Sequence, residues 1–126
     1  YGHEVVDYGP EAEAPCDYPD YGRPAAEAGA RGNCDRAVIM CGTGIGMSIV
    51  ANKVPGVFAA LCMNGIQAEY SRRHNNANVL VLGAWLIGKM TAEEILGRWI
   101  DTPFEAGRHA RRVAKIGDYS YGVIED

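Results

Sequence analysis

Ala37-Val38-Ile39-Met40-Cys41-Gly42-Thr43-Gly44-Ile45-Gly46-Met47-Ser48-Ile49-Val50-Ala51-Asn52-Lys53 decides how this chain folds. The apolar run over 35–40 predicts a strand buried on both faces. The apolar and small residues over 47–53 predict a helix, stopped by Pro55-Gly56. Between them lie a thiol and three closely spaced glycines. Cys41 therefore ends a strand, a glycine turn follows, and a helix begins. That order sets a nucleophile or base beside backbone N–H groups able to hold an anion.

Working outward, the same alternation continues. Residues 4–8 predict a short strand, ended by Gly9-Pro10. Residues 10–24 carry four of the six prolines and predict a loop. Residues 24–29 are Ala-rich and predict a short helix. Residues 57–62 predict a third strand, and Asn64 an N-cap for a helix reaching about His74. Residues 78–82 predict a fourth strand, ended by Gly83. Thr91, with Glu94 three residues on, reads as a capping box opening another helix. That helix places Ile95, Leu96, Trp99 and Ile100 on one face. A basic segment follows Phe104, and then a polar tail. Strand-helix alternation predicts an α/β fold: a mostly parallel sheet with helices on both sides, in a Rossmann-like three-layer sandwich. Ligands in such sheets bind at the carboxyl ends of strands, where Cys41 falls.

Composition narrows the function. A chain of 126 residues suits one domain. The net charge of −4 gives no general attraction to nucleic acid. No apolar run approaches the ~18 residues of a membrane span. Cys16, Cys34, Cys41 and Cys62 show no zinc-like spacing with His3, His74 or His109, so no metal site is expected. This cysteine usage points to a reduced, cytoplasmic compartment.

The loop after Cys41 is neither common nucleotide motif. A dinucleotide loop would need its third glycine where Met47 stands, and a P-loop would need Gly-Lys-Ser/Thr. Two readings remain: an anion cradle with Cys41 at its lip, or a tight turn with a buried cysteine. At a helix N-terminus a thiol pKa can fall below its free value of ~8.5. His74 is either a general acid or base, or a surface histidine favoured by a helix C-terminus. Arg108 and Arg112 stand four apart and share a helical face, with Arg111 between them. They suit a phosphate, or simply a solvated helix. Asp17-Tyr18-Pro19-Asp20-Tyr21 offers carboxylates and hydroxyls, or a plain turn. Taken together, a thiol, a cradle, a histidine and an arginine pair fit a phosphorylated small molecule reacting through an oxyanion. A thiolate removing a proton beside a carbonyl creates an enediolate. Each fixed N–H donor stabilises such a charge by ~3 kcal/mol.

Cys41-Gly42-Thr43-Gly44-Ile45-Gly46-Met47-Ser48-Ile49 and Ala51-Asn52-Lys53-Val54-Pro55-Gly56 resemble the ribose-5-phosphate isomerase B family, which includes the galactose-6-phosphate isomerase subunits. His74-Asn75, Ala77-Asn78-Val79, Leu82-Gly83, Gly107-Arg108-His109 and Arg111-Arg112-Val113 continue the match in order, as do Gly2-His3-Glu4-Val5-Val6-Asp7 and the 17–21 loop. The resemblance extends over about residues 1–116, with 117–126 as a tail whose Tyr119 and Tyr121 would pack on a partner subunit. It implies a Rossmann-like enzyme, dimeric or tetrameric, that interconverts aldose and ketose phosphates without metal or cofactor. The expected reaction is ribose 5-phosphate to ribulose 5-phosphate. Cys41 would be the base. Thr43 and the backbone of Gly42, Gly44 and Gly46 would line the enediolate site. His74 would help open the sugar ring, Asn75 would bind substrate across the dimer interface, and Arg108 and Arg112 would hold phosphate.

The chain departs from the family pattern in two places. Asn76 stands where aspartate is common, with little effect expected. The family's opening strand, which carries an Asp-His pair, and its first helix have no counterpart in a sequence that begins at Tyr1. The resemblance therefore implies an N-terminally truncated isomerase with an exposed sheet edge and apolar face. Two other readings are a sugar-phosphate-binding homologue or fragment with impaired catalysis, and a thiol redox protein with Cys62 close to Cys41.

Overall fold

The computed structural model describes residues 2–119. Five helices and three strands alternate: α1 (Pro19–Ala30), β1 (Ala37–Cys41), α2 (Ile45–Asn52), β2 (Ala59–Leu61), α3 (Gly65–Asn75), β3 (Val79–Gly83), α4 (Lys89–Asp101) and α5 (Arg108–Gly117). The strands form a parallel sheet in the order β1-β3-β2. The expected α/β sandwich is present, with β3 at its centre.

β3 is central because all five of its residues, Val-Leu-Val-Leu-Gly, tolerate burial on both faces. Val79 and Val81 pack with Ile39 of β1 against Ala26 of α1 and Met47 and Ala51 of α2. Leu80 and Leu82 point the other way, onto Ala68 of α3 and Ile95 and Trp99 of α4. One strand thus supplies two cores through its two-residue side-chain period.

β1 departs from expectation. Ile39 is buried, but Val38 is 40% and Met40 54% exposed, so the strand is covered on one face only. Its packing partners are β3, α1 and α2. Helices α3 and α4 meet their core over β3 and β2 and leave the second face of β1 bare. Among the described residues, the outer edge of β1 has no paired strand.

Residues 4–8 form no strand. Val5 and Val6 are exposed, and no sheet edge pairs with them among the described residues. An unpaired extended segment gains nothing over hydration of its own backbone. The expected loop over 10–24 instead becomes helix from Pro19, whose fixed φ and missing N–H suit the first helical position. β2 is shorter than the predicted 57–62, and asparagine side chains bond its first residue and the one before it. Asn78 Oδ1 accepts from Phe58 N at 2.8 Å, and Asn52 Oδ1 accepts from Ala59 N at 2.9 Å.

Asn64 caps α3 as predicted, accepting from Gln67 N at 2.9 Å. The Thr91 capping box does not form. α4 starts earlier, at Lys89, with Gly88 as its N-cap and no side-chain cap. The Gly88 carbonyl accepts from Ala92 N at 2.9 Å, while Glu94 pairs with Arg98. Thr91 is already inside the first turn, so its spacing to Glu94 has no capping geometry to act in. The predicted amphipathic face is real: Ile95 and Trp99 are buried.

The far end of α3 is fixed by Arg72, which is buried. Its guanidinium donates to the carbonyls of Ala77 at 2.7 Å and Thr102 at 3.1 Å, and to Asn76 Oδ1 at 3.1 Å. Desolvation lowers its pKa to about 10, which still leaves it charged at neutral pH. Asn76 closes the helix in the left-handed region at φ 50°, a conformation asparagine accepts more readily than most residues.

Candidate active site

Cys41 is the last residue of β1 and pairs with Gly83, the last of β3. Both strand ends then turn, and the two turns are tied together. Ala84 N donates to Cys41 O and Trp85 N to Gly42 O, each at 2.9 Å. Gly44 has φ +79°, where an L side chain is strained, and a Cβ there would collide with Leu61 and stand 3.2 Å from Gly83 N. A Cβ on Gly42 would lie 2.6 Å from the Trp85 ring, and one on Gly46 would strike the Tyr18 hydroxyl. The glycines are thus required by close approach on three sides. Thr43 Oγ1 accepts from Ile45 N at 3.3 Å. The N–H groups of Gly46 and Met47 fall in the first turn of α2, where no intrahelical acceptor exists. Cys41 is half-buried at the edge of this shelf.

His74 and Asn75 occupy the last turn of α3. The imidazole stacks on His109 with centroids 4.0 Å apart and planes 12° apart, and meets the edge of Tyr70 at 4.9 Å. Its Nε2 lies 3.8 Å from Glu105 Oε2, as does that of His109. Burial, the neighbouring His74 and then Arg108 push the His109 pKa down, against an opposing pull from Glu105. The basic segment is helix α5, so Arg108 and Arg112 do share a face. Both are exposed and form no ion pair among the described residues.

The candidate residues therefore form two groups. Cys41, Gly42, Thr43, Gly44 and Gly46 lie at the carboxyl ends of β1 and β3. His74, Asn75, Arg108 and Arg112 lie beyond the amino end of β3, because α3 returns antiparallel to the sheet. β3, about 13 Å long at ~3.3 Å per residue, runs between the ends where the two groups lie. A cavity of about 520 Å³ beside Tyr21 and a second of about 330 Å³ between Pro19 and Val54 include neither group.

Trp85, Glu105 and the contact of His109 with His74 carry no signal in the sequence, whereas Tyr18 belongs to the 17–21 loop singled out there for its hydroxyls. The structure also corrects one reading. Cys62 is fully buried in the core with α3 and α4, while Cys41 packs on the α1 and α2 side, so the sheet separates the two thiols. Burial raises the Cys62 pKa, which further disfavours its ionisation. Tyr119 is exposed and Tyr121 lies outside the described residues.

Comparison with known proteins gives this geometry a family. The model of the ribose/galactose isomerase family matches residues 1–116. D-erythrulose-4-phosphate isomerase of Pectobacterium atrosepticum is 47% identical over 122 residues, covering 95% of this chain and 80% of that protein. Ribose-5-phosphate isomerase B of Escherichia coli is 41% identical over 115 residues, covering 91% and 77%. The structure of Clostridium thermocellum ribose-5-phosphate isomerase B superposes with a TM-score of 0.90 at 50% identity, covering 93% of this chain and 79% of that one. A match along nearly the whole described fold, at these identities, means that the chain belongs to the ribose/galactose isomerase family of sugar-phosphate isomerases.

Proposed function

We propose that the chain interconverts an aldose phosphate and its ketose by metal-independent proton transfer, with ribose 5-phosphate and ribulose 5-phosphate as the first pair to test. The glycine shelf beside Cys41 carries this reading: a half-buried thiol adjoins first-turn N–H groups of α2 that have no intrahelical acceptor. The Cys41 thiolate takes the proton from C2 and returns it to C1. The N–H groups of Gly46 and Met47, the Gly42 and Gly44 backbone and the Thr43 hydroxyl stabilise the enediolate. His74 moves the ring-opening proton, Asn75 binds the sugar, and Arg108 and Arg112 hold the phosphate.

These roles require the two groups to meet, and the sheet keeps them apart within one chain. A second copy resolves this, its His74 end placed over the Cys41 shelf of the first. The exposed row of Tyr70 and Ile66, one and two turns before His74 on the same side of α3, supports such a dimer. The whole chain acts as one domain in this reading. Four unpaired cysteines fit a cytoplasmic setting.

A coupled assay of ribose 5-phosphate turnover tests the proposal. It should be run on this chain and on one extended at its N-terminus by a family-type strand and helix that pair with β1. Activity in either supports the reading. An extended chain that binds the sugar phosphate without converting it would leave a binding protein instead. Ribose, allose, galactose and erythrulose phosphates, compared side by side, define the substrate.

A further inference from the structure

His74, Glu105 and His109 come from the end of α3, the segment after α4 and the first turn of α5, and they converge at one point. One donor atom from each lies within 4.8 Å of the other two. Both imidazoles turn an Nε2 toward the same carboxylate oxygen, Glu105 Oε2, each at 3.8 Å. The backbone fixes this meeting: Glu105 N donates to Arg73 O at 3.1 Å and His109 N to Ala106 O at 3.0 Å.

We propose that His74, Glu105 and His109 form a binding site for a divalent transition-metal ion of the imidazole-preferring class, such as zinc or cobalt. Two imidazole nitrogens and one carboxylate are a three-ligand set that leaves a fourth position open. Donors about 2.0–2.2 Å from a shared tetrahedral ion stand roughly 3.3–3.6 Å apart. The two Nε2–Oε2 separations of 3.8 Å are close to this, but the imidazoles are stacked with their planes 12° apart, so one ring must turn out of the stack before both lone pairs meet a shared ion. The surroundings select the metal. Arg73 lies 3.8 Å from the other Glu105 oxygen, and Arg108 and Arg112 begin the same helix as His109. That positive field opposes a hard cation held mainly by charge, such as magnesium or calcium, which prefers all-oxygen ligands. An ion bonded through imidazole lone pairs withstands it better. Binding stands on this geometry and not on the isomerase reading. Its consequence does rest on that reading: a metal occupying the Nε2 lone pair of His74 removes the proton carrier and inhibits turnover.

Cobalt(II) titration of the untagged chain, followed by visible d–d absorption, tests the site. The expected result is saturation at one cobalt per chain, displacement by zinc, and no competition from magnesium. His109→Ala and the isosteric Glu105→Gln should each weaken cobalt binding by about tenfold or more, with folding checked by circular dichroism. Cys41→Ala should leave it unchanged. Absence of the bands, unaltered affinity in Glu105→Gln, or loss of binding in Cys41→Ala would each overturn the site. Zinc bound at this site without inhibiting an active enzyme would instead count against the role of His74 and leave the site standing.

Discussion

The two ends of β3 are built from different materials. At the Cys41 end the backbone does the shaping. Gly42, Gly44 and Gly46 are pressed by Trp85, Leu61 and Tyr18, and two main-chain hydrogen bonds lock adjacent turns together. At the His74 end side chains do it. Two stacked imidazoles and two guanidiniums without an ion pair among the described residues sit on α3 and on α5, a helix with only His109 buried, and the Glu105 carboxylate joins them from the segment between α4 and α5. The first end suits the stabilisation of a developing charge, because its dipoles are fixed in advance. The second suits proton exchange and phosphate capture, because its groups titrate or reach. Neither is a complete active site, and that division is the main reason to place the reaction between two copies.

Substitutions at the two ends should separate accordingly. Cys41→Ala should have the largest effect, cutting kcat by about 10²–10⁴-fold while sugar-phosphate affinity stays nearly constant. Loss of binding in step with rate would make the thiol structural. Arg112→Ala should raise KM by roughly tenfold or more, with kcat little changed, as expected for one charge-assisted phosphate contact. Unchanged affinity would remove α5 from the site.

Gly44→Ala sharpens the contrast from the backbone side. It forces a Cβ toward Leu61 at φ +79° and should destabilise the fold by about 1–3 kcal/mol in a denaturant titration. A neutral result would mean that the turn is not held as described. The smallest effect concerns His109. Its depressed pKa means that the unfolded chain takes up the proton first as pH falls. Stability is therefore fully present above the ordinary histidine value of ~6.5 and declines below it. His109→Gln should flatten this acid-side fall in melting temperature. An identical pH profile would show that the imidazole is freely solvated.

The sequence was most legible where a feature is local. The Asn64 cap, the five-residue β3 and the strand-turn-helix at Cys41 each depend on neighbours within a few positions, so composition and spacing report them. Trp85 on Gly42 and His109 on His74 are contacts between distant segments, and no periodicity encodes them. Thr91 and Glu94 show the opposite failure: the capping pattern is present, but the helix begins at Lys89 and leaves it nothing to cap. Val38 and Met40 are exposed although the apolar run around them predicts burial, because such a run is silent about whether a neighbour arrives to cover it. The candidate residues themselves were legible one by one. Their separation by the length of the sheet was not, because it follows from the antiparallel return of α3.

Complementation between two inactive chains tests this division most directly. Cys41→Ala and His74→Ala are each inactive in the shared-site account, but a mixed dimer holds one site with both groups intact. Co-expressed in equal amounts, in a background where the parent chain turns over ribose 5-phosphate, they should recover up to about a quarter of parental activity, as random pairing of a two-fold dimer predicts. A mixture no more active than either variant alone would contradict a site shared between subunits.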